Sequence, residues 1–236
     1  CFACSVVCGL AITAAAAYFL TPKRCRWVTL FVANYVFYFI SGGRIFIYLL
    51  ATTVTTYLAT VKIGDMAAKN KIAFNEAKAE LDKEGKKAWK AAFAKKKKRI
   101  LIPTLLFNFG ILAVLKYSGF VTENLNLLFA KIGIGTELPV FRFLLPLGIS
   151  FYTFQSMGYL IDVYREKQEP ERNFCKLALF ISFFPQIVQG PISRFGTLAE
   201  QLFRANEFSY TRIKFGVQLM LWGAFKKMVI ADRAAV

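Results

Sequence analysis

Hydrogen-bonding side chains occur inside one of the most apolar regions of the chain, the segment SFFPQIVQGPISRF (182–195). Gln186 and Gln189 carry amides that can both donate and accept hydrogen bonds to a substrate. Pro185 and Pro191 each remove a backbone donor, so carbonyl groups one turn earlier lose their helical partners. Unpaired backbone is tolerated at membrane depth only where protein buries it or where it lines a watery cavity. The segment therefore predicts a broken or re-entrant element beside a cavity.

A second polar stripe lies in the apolar segment PLGISFYTFQSMGYLIDVYR (146–165). At helical spacing Tyr152, Ser156 and Tyr159 share one face, and Gln155 lies beside them. Lipid would disfavour such a face, so it should contact protein or water. Hydrogen bonding between membrane helices explains the stripe slightly better than a substrate cavity does, because Ser, Thr and Gln commonly join such helices.

Charged residues follow both polar segments. A charge at the centre of a bilayer costs about 2.5–3.5 kcal/mol, so Arg194 is expected at the mouth of a cavity or in an ion pair. Asp162, at the end of the preceding span, or the phosphate of a ligand would be a suitable counter-ion.

The elements that position these residues are expected to be membrane helices. Of the 236 residues, 56% are hydrophobic and 19% are charged, and the formal net charge is +17. This composition indicates a membrane protein, and its long apolar runs argue against nucleic-acid binding. The chain contains no histidine, the usual general base and the commonest metal ligand. No metal site or disulfide framework is predicted from its cysteines.

A helix needs about 20 mainly apolar residues to cross a bilayer. The expected architecture is all-α and polytopic, with about five to seven membrane-embedded helices, some of them broken or re-entrant. The candidate spans lie at 2–20, 27–41, 44–61, 100–120, 141–161, 174–192 and 213–231. The distribution of Lys and Arg places the two basic connections, 22–26 and 62–99, in the cytoplasm.

The basic connection at 62–99 contains thirteen basic and five acidic residues. Its Ala, Glu and Lys content favours helix, and Gly85 is predicted to divide it into two helices. We expect this amphipathic segment to lie along the cytoplasmic membrane surface, with KKKKR (95–99) near anionic head groups. A solvated stop-transfer loop explains the charge more simply than specific lipid recognition.

Four segments that follow one another along the chain resemble a known family. They are NFGILAVLKY (108–117), PLGISFYTFQSMGYLIDVYR (146–165), SFFPQIVQGPISRF (182–195) and GAFKKMVIADR (223–233). They look like the amino-terminal half of membrane-bound O-acyltransferases, in the bacterial branch of alginate O-acetylases and teichoic acid D-alanyl transferases. Residues 1–99 match this family only in their pattern of spans and a basic connection.

The resemblance implies three regions. Residues 1–61 would be amino-terminal transmembrane helices, 62–99 the basic cytoplasmic segment, and 100–236 an incomplete acyltransferase core that continues beyond the chain. The family's catalytic histidine lies after the segment that matches 223–233, so the chain alone is expected to be inactive and no catalytic residue is assigned within it.

The resemblance also implies a reaction and its participants. An acyl group, expected to be acetyl, would pass from a cytoplasmic-side acyl-carrier thioester or acyl-CoA to a hydroxyl of an extracytoplasmic polysaccharide or cell-wall polymer. An accessory secreted acyltransferase would be a further partner. The protein would be multi-pass in the bacterial inner or plasma membrane, with no bound cofactor and no nucleic acid.

On this interpretation the polar residues fall into two groups. The expected substrate- or tunnel-lining residues are Tyr152, Gln155, Ser156, Gln186, Gln189 and Pro191. The residues expected on the cytoplasmic donor side are Asp162, Tyr164, Arg165 and Arg194.

Two other classes of function remain open from the residues alone. Broken helices with polar groups at the membrane midplane also form the substrate sites of transporters and channels. Transporters often contain internal repeats, and the two halves of this chain show no convincing similarity to each other. A scaffold that has lost catalysis and only binds a partner would carry the same spans.

Overall fold

The computed structural model describes residues 9, 13–42, 46–77, 82–132, 139, 148–187, 192–204 and 206–234. Every regular element in these ranges is helical, which confirms the all-α prediction. The chain divides into two units, Cys1–Arg204 and Ala205–Val236. The first unit starts with a helical stretch at 13–20 and a short 3-10 turn at Lys23–Cys25. Its labelled helices follow in chain order: α1 (Arg26–Gly42), α2 (Phe46–Ala77), α3 (Lys83–Ile132), α4 (Ile149–Tyr164), α5 (Phe174–Ser182), α6 (Phe184–Ile187) and α7 (Phe195–Phe203).

Helices α2 and α3 form a long antiparallel pair. Near their apolar ends Asn108 Nδ2 donates to Thr55 Oγ1 at 3.1 Å, and near their basic ends Trp89 Nε1 donates to Asn70 Oδ1 at 2.9 Å. The two helices contain 32 and 50 residues. At 1.5 Å per residue they are about 48 and 75 Å long, whereas the hydrocarbon core of a bilayer is about 30 Å thick. Each helix therefore continues without interruption from an apolar part into the basic connection.

The prediction that Gly85 divides the basic connection is wrong. Helix α3 begins at Lys83 and includes Gly85, and α2 ends at Ala77. Asp82 lies just before α3, where its Oδ1 accepts a hydrogen bond of 2.7 Å from the backbone N of Lys83. A carboxylate at a helix N-terminus is favourable, whereas glycine inside a helix costs only about 1 kcal/mol relative to alanine. A cost of this size does not end the helix at Gly85, and the carboxylate of Asp82 favours a start at Lys83.

Helix α4 lies in the centre of the first unit and packs against α2, α3 and α5. Its side chains Tyr152, Met157 and Leu160 are almost completely buried. Against α3, the rings of Phe154 and Phe109 have centroids 5.6 Å apart. The polar stripe predicted on this helix is therefore enclosed by neighbouring helices.

Helix α5 is buried from Leu177 to Ser182. Asn173 caps its N-terminus, because its Oδ1 accepts from the backbone N of Cys175 at 3.0 Å and of Lys176 at 3.3 Å. Such a cap satisfies backbone donors that lack a helical partner. The cap therefore fixes where the chain turns from the preceding loop into the buried helix.

Large apolar side chains also cover the outside of the first unit. On α3 alone, Leu106, Phe107, Val114 and Phe120 are each at least half exposed. Soluble monomers rarely expose contiguous apolar surface on this scale, so the surface is suited to lipid. Within the described ranges, two helices, α2 and α3, are long and apolar enough to cross a membrane. The larger number of spans remains a prediction.

The second unit consists of helix α8 (Tyr210–Phe225), a stretch with π-helical hydrogen bonding (Lys226–Ala231) and a last helical turn (Asp232–Ala234). Ser209 caps α8, because its Oγ accepts from the backbone N of Arg212 at 3.5 Å. Near the other end, the Lys226 ammonium lies 5.2 Å from the centre of the Trp222 ring. This unit therefore has a defined start and a cation–aromatic contact where its helical winding changes.

Candidate functional site

A chain of amide and hydroxyl groups joins α4 to the broken segment predicted at 182–195. Gln155, which is 3% exposed, donates through Nε2 to the backbone O of Phe180 at 2.9 Å and to Gln186 Oε1 at 3.2 Å. Gln186 Nε2 in turn donates to Ser193 Oγ. We call Gln155, Gln186 and Ser193 the Gln155 network. It connects three parts of the chain inside an otherwise apolar bundle.

The helix break predicted in this segment occurs at Phe183, between α5 and α6. A continuous helix would place the ring of Pro185 against the carbonyl one turn earlier, which favours a break here. The backbone N of Phe184 donates to Asn34 Oδ1 at 2.7 Å, and Asn34 is completely buried in α1. A side chain from α1 therefore satisfies the backbone that the break leaves without a helical partner.

Several buried hydroxyl groups have no hydrogen-bond partner within the described part of the protein. They belong to Tyr35, Tyr38, Thr56, Tyr152 and Ser182. Buried polar groups are normally paired, so each unpaired group calls for an explanation. These hydroxyls have hydrogen-bonding capacity available for a bound molecule.

A buried cation lies where the basic connection meets the end of α4. Lys97 on α3 is 7% exposed, and its Nζ donates to the backbone O of Tyr164 at 3.0 Å. The same ammonium forms an ion pair of 2.5 Å with Glu166. It also lies 4.7 Å from the ring centre of Phe93 and 5.2 Å from that of Tyr164. One lysine of the KKKKR run is therefore a fixed part of the interior.

The loop between α4 and α5 is tied to its surroundings by hydrogen bonds. Tyr57 of α2 donates through its hydroxyl to the backbone O of Arg172 at 2.8 Å. The Tyr159 hydroxyl of α4 accepts from the backbone N of Glu171 at 2.7 Å. The Arg172 guanidinium pairs with Asp65 of α2 at 2.9 Å, and their side chains are 75% and 46% exposed. The loop is thus held against both helices.

Gly64 of α2 allows the loop between α4 and α5 to pack closely against the backbone of α2. A Cβ atom at this position would overlap the ring of Pro170. Only a residue without a side chain allows the helix backbone and the proline ring to be this close. The contact fixes the middle of the loop beside the basic half of α2.

The structure brings together part of the predicted site. Tyr152, Gln155 and Ser156 are buried on α4, and Gln186 is half-buried and bonded to Gln155. Ser156 Oγ donates to its own helix, at the backbone O of Thr153 at 2.9 Å. Gln189 and Pro191 lie outside the described residues.

The predicted donor-side residues are less buried than the predicted tunnel-lining residues on α4. Asp162 and Tyr164 are half-buried, and Arg165 and Arg194 are exposed. Tyr164 contributes its backbone oxygen and its ring to the Lys97 ammonium. Within the described residues, Asp162 and Arg194 do not form an ion pair with each other. No group of His, Cys, Asp or Glu suited to a metal ion occurs in that part of the chain.

Sequence reasoning missed Asn34, Tyr38 and Lys97. The first two are four residues apart in an apolar run, so they share a helix face, and this spacing could have indicated a polar stripe on α1. Lys97 carries no such signal, because five consecutive basic residues give no indication of which one is buried.

The fold and these contacts define an all-helical membrane protein with a polar site enclosed in its interior. The chain is similar to the protein named "Probable alginate O-acetylase AlgI" in Pseudomonas syringae, with 30% identity over 221 residues, 93% of this chain and 37% of that protein. The protein of the same name in Azotobacter vinelandii is 32% identical over 222 residues, 92% of this chain and 38% of that protein. "Peptidoglycan O-acetyltransferase" of Helicobacter pylori is 32% identical over 161 residues, 57% of this chain and 30% of that protein.

These relatives confirm the resemblance found in the sequence: the chain is homologous to bacterial O-acetyltransferases. The similarity also extends into residues 1–99, since it covers 93% of the chain. The chain spans less than two fifths of the length of these three relatives. No family model matches it, and no solved structure matches it significantly.

Proposed function

We propose that the whole protein is a membrane-bound O-acetyltransferase. It moves an acetyl group from a thioester donor on the basic, cytoplasmic side to a hydroxyl of an extracytoplasmic polysaccharide or cell-wall polymer. The donor is an acyl-carrier thioester or acyl-CoA, and an accessory secreted acyltransferase completes the modification. The relatives named for alginate and peptidoglycan support both the reaction and the class of acceptor.

The observation that carries the proposal is the buried Gln155 network, together with buried hydroxyls that have no hydrogen-bond partner among the described residues. Both N–H groups of the Gln155 amide are engaged, one by the backbone of α5 and one by Gln186. Gln155 therefore positions its neighbours. The Tyr152 hydroxyl, by contrast, is free to hydrogen bond with a substrate. In acyl transfer such a group can orient the attacking hydroxyl or stabilise the developing oxyanion.

The reaction also needs a general base, because the attacking hydroxyl must lose its proton. The 236 residues contain no histidine. The proposal therefore assigns the base to a part of the protein outside them, and these residues to the wall of the reaction chamber and its donor side. The basic connection at 62–99, with thirteen basic and five acidic residues, provides a cationic surface on that side.

The test uses membranes that contain the full-length protein together with the accessory secreted acyltransferase, incubated with acetyl-labelled coenzyme A or acetyl-labelled acyl carrier protein. Alginate and peptidoglycan are supplied as acceptors, and the label in each polymer is measured after base-sensitive release. We expect label in a polymer only with the full-length protein, and none with residues 1–236 alone or with empty membranes. Uptake of a labelled small molecule across sealed membranes without any acylated polymer would contradict the proposal and favour a transporter.

A further inference from the structure

A cavity of about 810 Å³ lies between the basic half of α2, the first part of α3 and the loop between α4 and α5. We call it the Lys97 cavity. Pockets that bind small molecules usually measure about 300–1,000 Å³. The Lys97 cavity shares no residue with the Gln155 network. It is therefore large enough for an organic ligand and is separate from the Gln155 network.

The charges around the Lys97 cavity favour an anion. Among the described residues that line it, the cations are Lys71, Lys90, Lys97 and Arg172, and the carboxylates are Glu166 and Glu169. The excess of cations raises the local concentration of anions. Lys97 is the most deeply placed of them, because the other three cations are exposed.

Aromatic side chains lie next to these cations. The rings of Phe74 and Trp89 have centroids 6.3 Å apart at an angle of 56°, and both line the cavity. The hydrogen bond from Trp89 Nε1 to Asn70 fixes the indole. Aromatic faces bind planar organic groups by stacking, and ammonium groups bind phosphate by charge-assisted hydrogen bonds. The combination favours a phosphate ester with an organic part over bare phosphate.

Glu166 is a partner that an incoming anion can replace. Its side chain is 57% exposed, whereas that of Lys97 is 9% exposed. If the ion pair opens, the carboxylate can be solvated by water, but the buried ammonium needs a new anionic partner. A phosphate that enters the cavity supplies that partner.

We propose that the Lys97 cavity binds an organic phosphate. The Lys97 ammonium exchanges Glu166 for the phosphate, and the Phe74–Trp89 pair contacts the organic part. Two sources have this chemistry, the nucleotide end of a coenzyme A thioester and the head group of an anionic phospholipid. The nucleotide source rests on the function proposed above, whereas the lipid source does not.

The test measures binding of adenosine 3′,5′-bisphosphate by calorimetry to the full-length protein in nanodiscs of neutral phosphatidylcholine. A parallel arm uses native mass spectrometry to count retained phosphatidylglycerol after purification from mixed lipid. Lys97→Met keeps the apolar stem and removes the charge, and Lys98→Met is the matched control, because Lys98 is exposed on the same helix. Lys71→Ala removes an exposed cation of the cavity without a change in the interior.

One of the two probes should bind, and that probe identifies the source. Lys97→Met should weaken this binding about tenfold or more, since a hydrogen bond to a charged group is lost. Lys71→Ala should weaken it about two- to fivefold, Glu166→Gln should strengthen it by a similar factor, and Lys98→Met should change it less than twofold. The proposal is overturned if neither probe binds, if inorganic phosphate binds as tightly as the nucleotide, or if Lys97→Met and Lys98→Met behave alike.

The acetyl-transfer assay separates this proposal from the proposed function. A full-length protein that binds a probe through Lys97 but transfers no acetyl group contradicts the function and leaves the site intact. A protein that transfers acetyl groups normally, but in which Lys97→Met changes the binding of neither probe, contradicts the site and leaves the function intact.

Discussion

Tyr152 and Tyr159 are buried on the same helix. Removal of their hydroxyls is nevertheless predicted to change the stability of the protein differently. The two residues are 1% and 2% exposed. The Tyr159 hydroxyl accepts from the backbone N of Glu171 at 2.7 Å, whereas the Tyr152 hydroxyl has no partner in the described part of the protein. Tyr159→Phe leaves that N–H without its acceptor and should destabilise the protein by about 1–2 kcal/mol. Tyr152→Phe removes an unpaired buried hydroxyl and should be neutral or stabilising by up to about 1 kcal/mol.

The assay is equilibrium unfolding of the full-length protein in mixed detergent micelles, with both variants measured beside the wild type. We expect the two free energies of unfolding to differ by about 1–3 kcal/mol, with Tyr152→Phe the more stable variant. Equal losses in the two variants, or a larger loss in Tyr152→Phe, would refute the reasoning. Either result would mean that the Tyr152 hydroxyl has a stabilising partner of its own.

Two further changes test how the fold holds the site. Asn34→Leu removes the acceptor of the Phe184 N–H inside the bundle. It should therefore destabilise the protein by about 1–3 kcal/mol in the same unfolding assay. An unchanged free energy of unfolding would contradict the role of Asn34 in satisfying the helix break. Gly64→Ala should push Pro170 away and speed proteolysis of the loop that contains it. Gly110→Ala is its matched control, because nothing lies within 4 Å of the added Cβ, and it should be neutral or stabilising by up to about 1 kcal/mol. Equal cleavage rates in the two variants would count against the close approach.

The sequence was sufficient to predict the helical class and the break near Pro185. Long apolar runs specify helices, because lipid or a buried interior demands backbone hydrogen bonds within each segment. Proline cannot donate to the helical ladder, which favours a break near Pro185, although α3 continues through Pro103. The stripe of Tyr152, Ser156 and Tyr159 was also predictable, since it depends only on helical spacing.

Contacts between distant segments could not be predicted in the same way. Asn34 and Phe184 are 150 residues apart, and Lys97 and Glu166 are 69 apart. Such pairs arise from packing of α1 against α5 and of α3 against α4, which no local pattern encodes. The carboxylate of Asp82 favours the start of α3 at Lys83, and Gly85 does not interrupt that helix. The cost of a glycine inside a helix and the benefit of a carboxylate at its N-terminus are each about 1 kcal/mol. They are too similar for residue type alone to predict where the helix begins.

Acetyl transfer by the Tyr152→Phe variant tests most directly whether the buried polar groups face a substrate. Full-length protein in membranes is given labelled donor and polymer acceptor, and kcat is compared with that of the wild type and of Tyr117→Phe, a control at an exposed tyrosine of α3. If the Tyr152 hydroxyl contacts the reacting groups, kcat should fall about ten- to hundredfold while stability is kept. A wild-type kcat in a stably folded Tyr152→Phe variant would contradict a role for this hydroxyl in the reaction chamber.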